Sequence, residues 1–173
     1  LIEKTLKEAA AAESETVAAK TIQTCYDIID RYIVTAPHIH EVAISSVPLV
    51  AVFIGLDDVS RHEQCRKCLD GCMMQLEKIS GIWKKVLSKT VYVKCMGDII
   101  SHLFTVLIKL VLSMEDIRAN DAELCALALS KVLKECELLV DRSGHSPINK
   151  KVELEFCRMH EVVFCLEASL QCA

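Results

Sequence analysis

The sequence is poor in residues that interrupt helices. Its 173 residues include only five glycines and three prolines, whereas these two residues together make up roughly 12% of an average protein. Aromatic residues are also scarce, at 5% of the chain, which removes the material for base-stacking or sugar-stacking platforms. The small number of chain breakers predicts long helices joined by short turns.

The sequence also lacks an excess of basic charge. Twenty lysines and arginines stand against 24 aspartates and glutamates, which gives a formal net charge of −4. A protein that binds a polyanion through a basic face has the opposite balance. We therefore expect no direct contact with nucleic acid.

Hydrophobic residues, in contrast, make up 52% of the chain. This surplus predicts that part of the surface is covered by further chain or by partner proteins. The longest uncharged stretch, Val42–Leu56, contains Pro48 and is shorter than the roughly 20 residues that cross a bilayer. The apolar run Ile99–Leu112 contains His102 and Lys109 and is typical of a buried helix. We therefore predict no transmembrane segment.

Apolar residues recur at spacings of three and four along the chain, which predicts an all-α fold of about six helices. No run alternates with a period of two between hairpin turns, so no sheet is expected. The arrangement expected is an elongated antiparallel bundle or rod. The first predicted helix ends at Tyr32, with a break near Ser14. The next three helices span His38–Gly55, Arg61–Leu87 and Val91–Leu112. The last two begin at Asn120 and Lys150.

Capping residues and loops suggest the boundaries of these helices. Ser60 with Glu63, and Asn120 with Glu123, match the spacing of a capping box. The stretch 141–149 is the clearest loop, and a sub-boundary is expected near residues 56–60. Because the chain lacks an initiator Met, we interpret residues 1–173 as one helical segment of a larger rod.

The ten cysteines are scattered among apolar helical positions, unlike a short secreted disulfide framework. We expect them to be reduced thiols of a cytosolic or nuclear protein. They are Cys25, Cys65, Cys68, Cys72, Cys95, Cys125, Cys136, Cys157, Cys165 and Cys172.

His62, Cys65, Cys68 and Cys72 form the cluster with the most ligand-like composition, and Cys-x-x-Cys is the spacing of a zinc knuckle. Four ligands on one straight helix cannot surround one ion tetrahedrally, so we favour a buried cysteine stripe. A metal-binding or redox protein remains the alternative.

Catalytic motifs are weak throughout the sequence. His38-Ile39-His40-Glu41 and His160-Glu161 both lack the second histidine four residues after the first, which a metalloprotease helix requires. No serine stands in a strand–turn–helix elbow, and no glycine-rich loop could hold phosphate. We therefore expect neither an enzyme nor a cofactor.

Trp83 is the only tryptophan and stands at helical spacing from Ile79 and Leu87. A lone aromatic residue in such a pattern is typical of a core anchor, although an interface anchor is the alternative. The set of predicted core anchors comprises Trp83, Leu87, Tyr92, Met96, Leu103 and Leu107.

Four motifs resemble the Zeste-White ten family in the same order and at similar separations. The first two are Ile82-Trp83-Lys84-Lys85-Val86-Leu87 and Tyr92-Val93-Lys94-Cys95-Met96-Gly97. The next is Met114-Glu115-Asp116-Ile117, followed by Glu123-Leu124. The last is Leu166-Glu167-Ala168-Ser169-Leu170-Gln171. The chain departs from the family in being shorter between Leu56 and Gln64, and in its apolar residues at Ala43–Ser46.

The resemblance implies a non-enzymatic subunit built as a helical rod of the CATCHR tethering type. One family role is the tethering of Golgi-derived retrograde vesicles at the endoplasmic reticulum, with a Rad-interacting and a SNARE-associated subunit. The other is a kinetochore complex with Rough deal and Zwilch, which supports the spindle checkpoint and recruits dynein–dynactin. The implied location is cytoplasmic, peripheral on the endoplasmic reticulum, and at kinetochores and the spindle in mitosis. A generic helical adaptor is the alternative.

Overall fold

The computed structural model describes residues 16, 19–30, 53, 55, 56, 58–140 and 150–168. Within these residues the protein is entirely helical, without a strand, and the predicted all-α class is confirmed. The helices are α1 (residues 19–30), α2 (Val59–Val86), α3 (Lys89–Leu112), α4 (Ala119–Val140) and α5 (Lys150–Ala168).

The last four helices lie within two residues of their predicted starts, whereas two predicted caps are wrong. Asp58, not Ser60, caps α2: its Oδ1 accepts from the backbone N–H groups of Ser60 at 2.8 Å and Arg61 at 3.1 Å. Asn120 lies inside the first turn of α4, because the Ala122 N–H already donates to the Arg118 carbonyl at 2.9 Å. The stretch before α2 offers several polar residues that can cap, and Asp58, the residue just before the first helical one, does so.

The predicted helix His38–Gly55 lies outside the described residues except at its end, where the prediction is wrong. Phe53 lies in a bend, and Gly55 has a φ of 69°, which is the left-handed region that favours glycine. The Gly55 N–H donates to Oδ2 of Asp121 at 3.2 Å. This contact holds the chain against the first turn of α4 immediately before α2 begins. The predicted loop 141–149 and the break near Ser14 also lie outside the described residues.

The helices α2 to α5 form an up-and-down bundle in which α2 runs parallel to α4, and α3 parallel to α5. Lys131 Nζ of α4 donates to Asp70 Oδ1 of α2 at 2.6 Å. On the other side of the bundle, the rings of Phe104 and Phe156 meet edge to face with their centroids 4.9 Å apart. α1 packs on the outer side of α3, where the Tyr26 ring stacks on His102 at 4.3 Å.

α3 and α5 approach each other closely at Gly97. A Cβ atom at Gly97 would lie 2.8 Å from Cγ2 of Val152, which is closer than packed carbon atoms come. Glycine at this position therefore allows α5 to lie directly against α3.

α3 is the most buried helix and also the most apolar. By length and composition alone it could span a bilayer, but 61% of its most apolar window is buried inside the bundle. Met96, Ile99, Ile100, Phe104 and Leu107 are fully buried. We therefore interpret α3 as the core helix around which the others pack.

Candidate functional site

A groove opens on the surface between the C-terminal half of α3 and the adjacent face of α5. We call it the α3–α5 groove. Its volume is about 800 Å³, and it reaches the connection between α3 and α4 at Met114 and Ile117. The residues that define it are Thr105, Ile108 and Leu112 on α3, and Glu155, Val162 and Leu166 on α5.

The groove is mainly apolar, and the polar groups on its floor are engaged with neighbours. The hydroxyl of Thr105 donates to the backbone carbonyl of Ser101 at 2.8 Å. The carboxylate of Glu155, which is buried, accepts from Nη1 of Arg158 at 3.0 Å. Since these groups are satisfied within the protein, the floor of the groove favours an apolar surface over a polar ligand.

Charged side chains line both walls of the groove, and the α5 wall carries both signs, because Arg158 lies there with Glu155 and Glu161. Lys109 lies on the α3 wall and Glu161 on the α5 wall, and both residues are exposed. Leu112, at the end of α3, is 73% exposed. The groove therefore combines an exposed apolar surface with charged side chains on both walls.

Most of the predicted core anchors lie in the centre of the bundle. Trp83, Tyr92, Met96, Leu103 and Leu107 are buried. Leu87 is only partly buried, because it follows the last residue of α2, where its N–H donates to the Trp83 carbonyl at 2.8 Å.

Tyr92 also has a polar role that its helical spacing did not indicate. Its hydroxyl donates to the Leu139 carbonyl of α4 at 2.7 Å and lies 2.8 Å from the Ser80 Oγ of α2. The ammonium group of Lys84 lies 5.6 Å from the centre of the Tyr92 ring, within the range of a cation–π contact. Tyr92 therefore joins three helices.

The family-like motifs contribute mainly to packing. Gly97 provides the close approach to α5, and Met114 and Ile117 pack against the core at the end of the groove. Leu166 is buried, whereas Ser169, Leu170 and Gln171 lie outside the described residues.

The cysteine cluster is divided between the surface and the core. His62 is exposed and Cys68 half-buried, while Cys65 and Cys72 are buried on the face of α2 that meets α4. Burial raises the pKa of the Cys65 thiol and of the Cys72 thiol to about 12 each. A thiol must lose its proton to bind metal or to act as a nucleophile, so this environment opposes both roles.

The buried thiols of α2 face thiols of α4. Burial, and secondarily the neighbouring Cys65, raises the pKa of Cys125 to about 12. Burial, with Cys72 as the second cause, raises the pKa of Cys136 well above its usual range. Within the ranges that the structure describes, no group of three or more His, Cys, Asp or Glu residues is arranged to hold a metal ion.

Sequence reasoning did not find the α3–α5 groove, although one signal was present. The apolar surplus indicated an uncovered surface but could not locate it. Leu112 and Val162 each continue the apolar spacing of an ordinary helix, as core residues do. The sequence therefore cannot show that they line a groove, because this depends on how α3 and α5 are arranged in space.

Comparison with protein families identifies the domain. The family model described as "ZW10 C-terminal helical domain" matches residues 67–172. This match covers all of α3, α4 and α5 and residues 67–86 of α2.

Curated relatives agree with this match. The chain is 28% identical over 105 residues to the "Centromere/kinetochore protein zw10 homolog" of Caenorhabditis elegans, covering 61% of this chain and 14% of that protein. It is 23% identical over 126 residues to the protein of the same description in Rattus norvegicus, covering 69% of this chain and 16% of that protein. The chain thus spans only about one sixth or less of these relatives. Among solved structures, none matches it significantly.

The motifs around Trp83, Tyr92 and Gly97 lie within the matched region, and the resemblance they carry is confirmed. Because the family model matches more than half of the chain, this protein belongs to the ZW10 family, as a member with its C-terminal helical domain.

Proposed function

We propose that this protein is a non-enzymatic scaffold subunit of two assemblies. One is a complex that tethers Golgi-derived retrograde vesicles at the endoplasmic reticulum. The other is a kinetochore complex with Rough deal and Zwilch, which supports the mitotic spindle checkpoint and the recruitment of dynein.

The observation that carries the proposal is the match of residues 67–172 to the ZW10 C-terminal helical domain. The relatives from C. elegans, rat and mouse are each described as a centromere/kinetochore protein zw10 homolog. The kinetochore role comes to this chain from those descriptions, and the tethering role from the family resemblance.

The structure supports a scaffold through the way the shared residues are used. Trp83, Tyr92, Met96 and Gly97 are buried where α2, α3, α4 and α5 pack together. Residues in such positions determine the shape of a bundle rather than the reactivity of a site. A scaffold requires this rigidity, because it acts by holding its partners at fixed positions.

The proposed partners are proteins throughout. They are Rough deal and Zwilch at kinetochores, the Rad-interacting and SNARE-associated subunits at the endoplasmic reticulum, and dynein–dynactin indirectly. The protein would be cytoplasmic, peripheral on the endoplasmic reticulum in interphase, and at kinetochores and the spindle in mitosis. Its membrane association would pass through these partners.

The test is affinity purification of the tagged full-length protein from interphase and from mitotic cells, followed by quantitative mass spectrometry. Cells that express the tag alone provide the control. We expect the tethering subunits to be enriched in interphase and Rough deal and Zwilch in mitosis. If a folded, full-length protein recovers neither set, the proposal is wrong and a generic helical adaptor becomes the better interpretation.

A further inference from the structure

We propose that the end of the bundle where α2 connects to α3 binds an anionic membrane surface directly. We call it the basic end and define it by four exposed lysines. They are Lys84 and Lys85 in the last turn of α2, and Lys89 and Lys94 in the first two turns of α3. This inference goes beyond the proposed function, in which membrane association passes through partner subunits, and does not depend on it.

The basic end is positive although the chain as a whole is acidic. Residues 78–97 contain five lysines and no aspartate or glutamate, whereas the whole chain has a formal net charge of −4. None of the four lysines that define the end forms an ion pair with another residue that the structure describes. Their charges are therefore available to an anionic surface.

The other two helices that reach this end do not cancel its charge. α4 ends there, beside the first turn of α3, and α5 begins there. The charged residues of the last turn of α4, of the connection 141–149 and of the first turn of α5 are Glu137, Asp141, Arg142, Lys150, Lys151 and Glu153. Three of these residues are acidic and three are basic, and Glu137 lies 3.6 Å from Nε2 of His160. The four lysines therefore determine the sign of this end.

Exposed aliphatic side chains lie among the lysines. Ile82 is 62% and Val86 75% exposed near the end of α2, and Val91 is 36% exposed in the first turn of α3. A surface that binds anionic lipid combines basic side chains, which attract the headgroups, with apolar ones that enter the interface. Two helix ends joined by two residues form a convex tip, which a fluid bilayer accommodates without a matching pocket. These features favour a lipid surface over an acidic protein.

The opposite end of the bundle has the reverse charge, which orients the protein. Residues 113–123, which connect α3 to α4 and begin α4, contain four acidic residues and one basic residue. The 24 residues of α3 separate the two ends by about 36 Å, several times the Debye length of about 8 Å at physiological salt. The acidic end therefore does not cancel the attraction at the basic end, and its own repulsion from anionic lipid keeps it away from the membrane.

The test measures binding of the purified full-length protein to vesicles by co-flotation. The vesicles contain phosphatidylcholine alone or with about 30% phosphatidylserine, which supplies the negative surface potential of a cytoplasmic leaflet. We expect binding to the anionic vesicles to exceed binding to the neutral ones by about tenfold or more. This difference should shrink as the salt concentration is raised.

Two lysines at opposite ends of α3 provide a matched pair of variants. Lys89→Glu reverses a charge at the basic end, and Lys109→Glu makes the same change in the last turn of the helix, where Lys109 is also exposed. We expect Lys89→Glu to weaken binding to the anionic vesicles by about fivefold or more, the effect of one lysine near a charged membrane. Lys109→Glu should leave binding unchanged. Circular dichroism verifies that both variants are folded.

Val86→Ser tests the apolar contribution, since it removes an exposed aliphatic side chain without changing the charge. We expect it to weaken binding to the anionic vesicles by about threefold or more. Leu127→Ser is the control, because Leu127 is 61% exposed on α4 and lies in the half of that helix away from the basic end. It should bind as the wild-type protein does.

Three results would overturn the inference. Equal binding of the wild-type protein to both kinds of vesicle would mean that an acidic segment of this chain or of a partner protein covers the lysines. Equal weakening by Lys89→Glu and Lys109→Glu would mean that binding depends on total charge rather than on this end. Unchanged binding of Lys89→Glu would place the lipid-binding surface elsewhere. Recovery of the partner subunits tests the proposed function separately from all three.

Discussion

The hydroxyl of Tyr92 lies 2.7 Å from the carbonyl oxygen of Leu139, and it joins the first turn of α3 to the last turn of α4. Because Tyr92 donates its proton to Leu139, the Ser80 hydroxyl on α2 must donate to Tyr92 over their 2.8 Å separation. One buried phenol group thereby fixes the relative positions of three helices.

Replacing Tyr92 with Phe should lower the free energy of unfolding by about 1–3 kcal/mol, because two buried polar groups lose their partner. Urea denaturation followed by circular dichroism measures this change. Ser80→Ala should cost less, since it leaves the bond to Leu139 in place. The double variant should be less destabilised than the sum of the two single variants, and full additivity would contradict the network.

Replacing Gly97 with Ala should destabilise the protein by about 1–3 kcal/mol, because the new methyl group would overlap Val152. Gly81→Ala is the matched control, since a Cβ atom there meets nothing within 4 Å. That change should stabilise α2 by about 0.5–1 kcal/mol, as expected for alanine in place of glycine within a helix. Thermal unfolding should give a lower Tm for Gly97→Ala and a higher Tm for Gly81→Ala than for the wild-type protein.

Val152→Ala should partly restore the stability of Gly97→Ala, because it removes the γ-methyl groups that the new side chain meets. The comparison requires both single variants and the double variant. If Val152→Ala destabilises the wild-type protein and the Gly97→Ala variant equally, position 97 does not contact Val152.

Asp58→Ala should lower the free energy of unfolding by about 1 kcal/mol, which is typical for the loss of a helix N-cap. Ser60→Ala should change it by less than about 0.5 kcal/mol, the usual limit for an exposed substitution without a special role. Urea unfolding of the two variants distinguishes the observed cap from the cap that the sequence motif predicted. A larger loss of stability for Ser60→Ala than for Asp58→Ala would identify Ser60 as the cap.

Trp83→Ala should cost on the order of 3–5 kcal/mol, because it removes a large side chain that is only 8% exposed. Ile82→Ala provides the neighbouring control, since Ile82 is 62% exposed. Circular dichroism and partner recovery should be measured together. A folded Trp83→Ala protein that has lost only its partners would make Trp83 an interface anchor instead.

The cysteines should differ sharply in their reaction with iodoacetamide. Cys157 and Cys165 are exposed and should be alkylated first. Cys65, Cys72 and Cys125 are buried with pKa values of about 12, so their thiolate fraction near pH 8 is about a thousandfold below that of an ordinary thiol. Peptide mapping after timed labelling checks the order, and early labelling of Cys72 would contradict the packing of α2 on α4.

The same thiols should make the protein less stable in alkaline solution. The pKa of each thiol is about 9 in the unfolded chain and about 12 in the folded protein. Their contribution to the free energy of unfolding is therefore complete below about pH 9 and is lost as the pH rises towards 12. In reducing buffer the free energy of unfolding should fall between about pH 8.5 and 10.5. In a Cys125→Ala variant the free energy of unfolding should fall less steeply with pH. If it falls as steeply as in the wild-type protein, the alkaline destabilisation comes from lysine and tyrosine groups instead.

Periodicity alone predicted the helical class and the approximate extents of α2, α3, α4 and α5, because each helix carries a continuous apolar stripe. It failed at the caps Ser60 and Asn120, because both helices begin one or two residues earlier than the apolar spacing indicated. The hydroxyl network of Tyr92 and the contact of Gly97 with Val152 depend on pairs of residues far apart in sequence. Helical spacing within one segment contains no information about such pairs.

The close packing of α3 against α5 at Gly97 has a consequence for evolution. The two helices meet at Gly97 and Val152 and are separated by the groove near Leu112 and Leu166. Any residue larger than glycine at position 97 would have to displace Val152 and, with it, the first turn of α5. Selection against larger residues at this buried position would therefore act through the packing of the bundle rather than through any exposed surface.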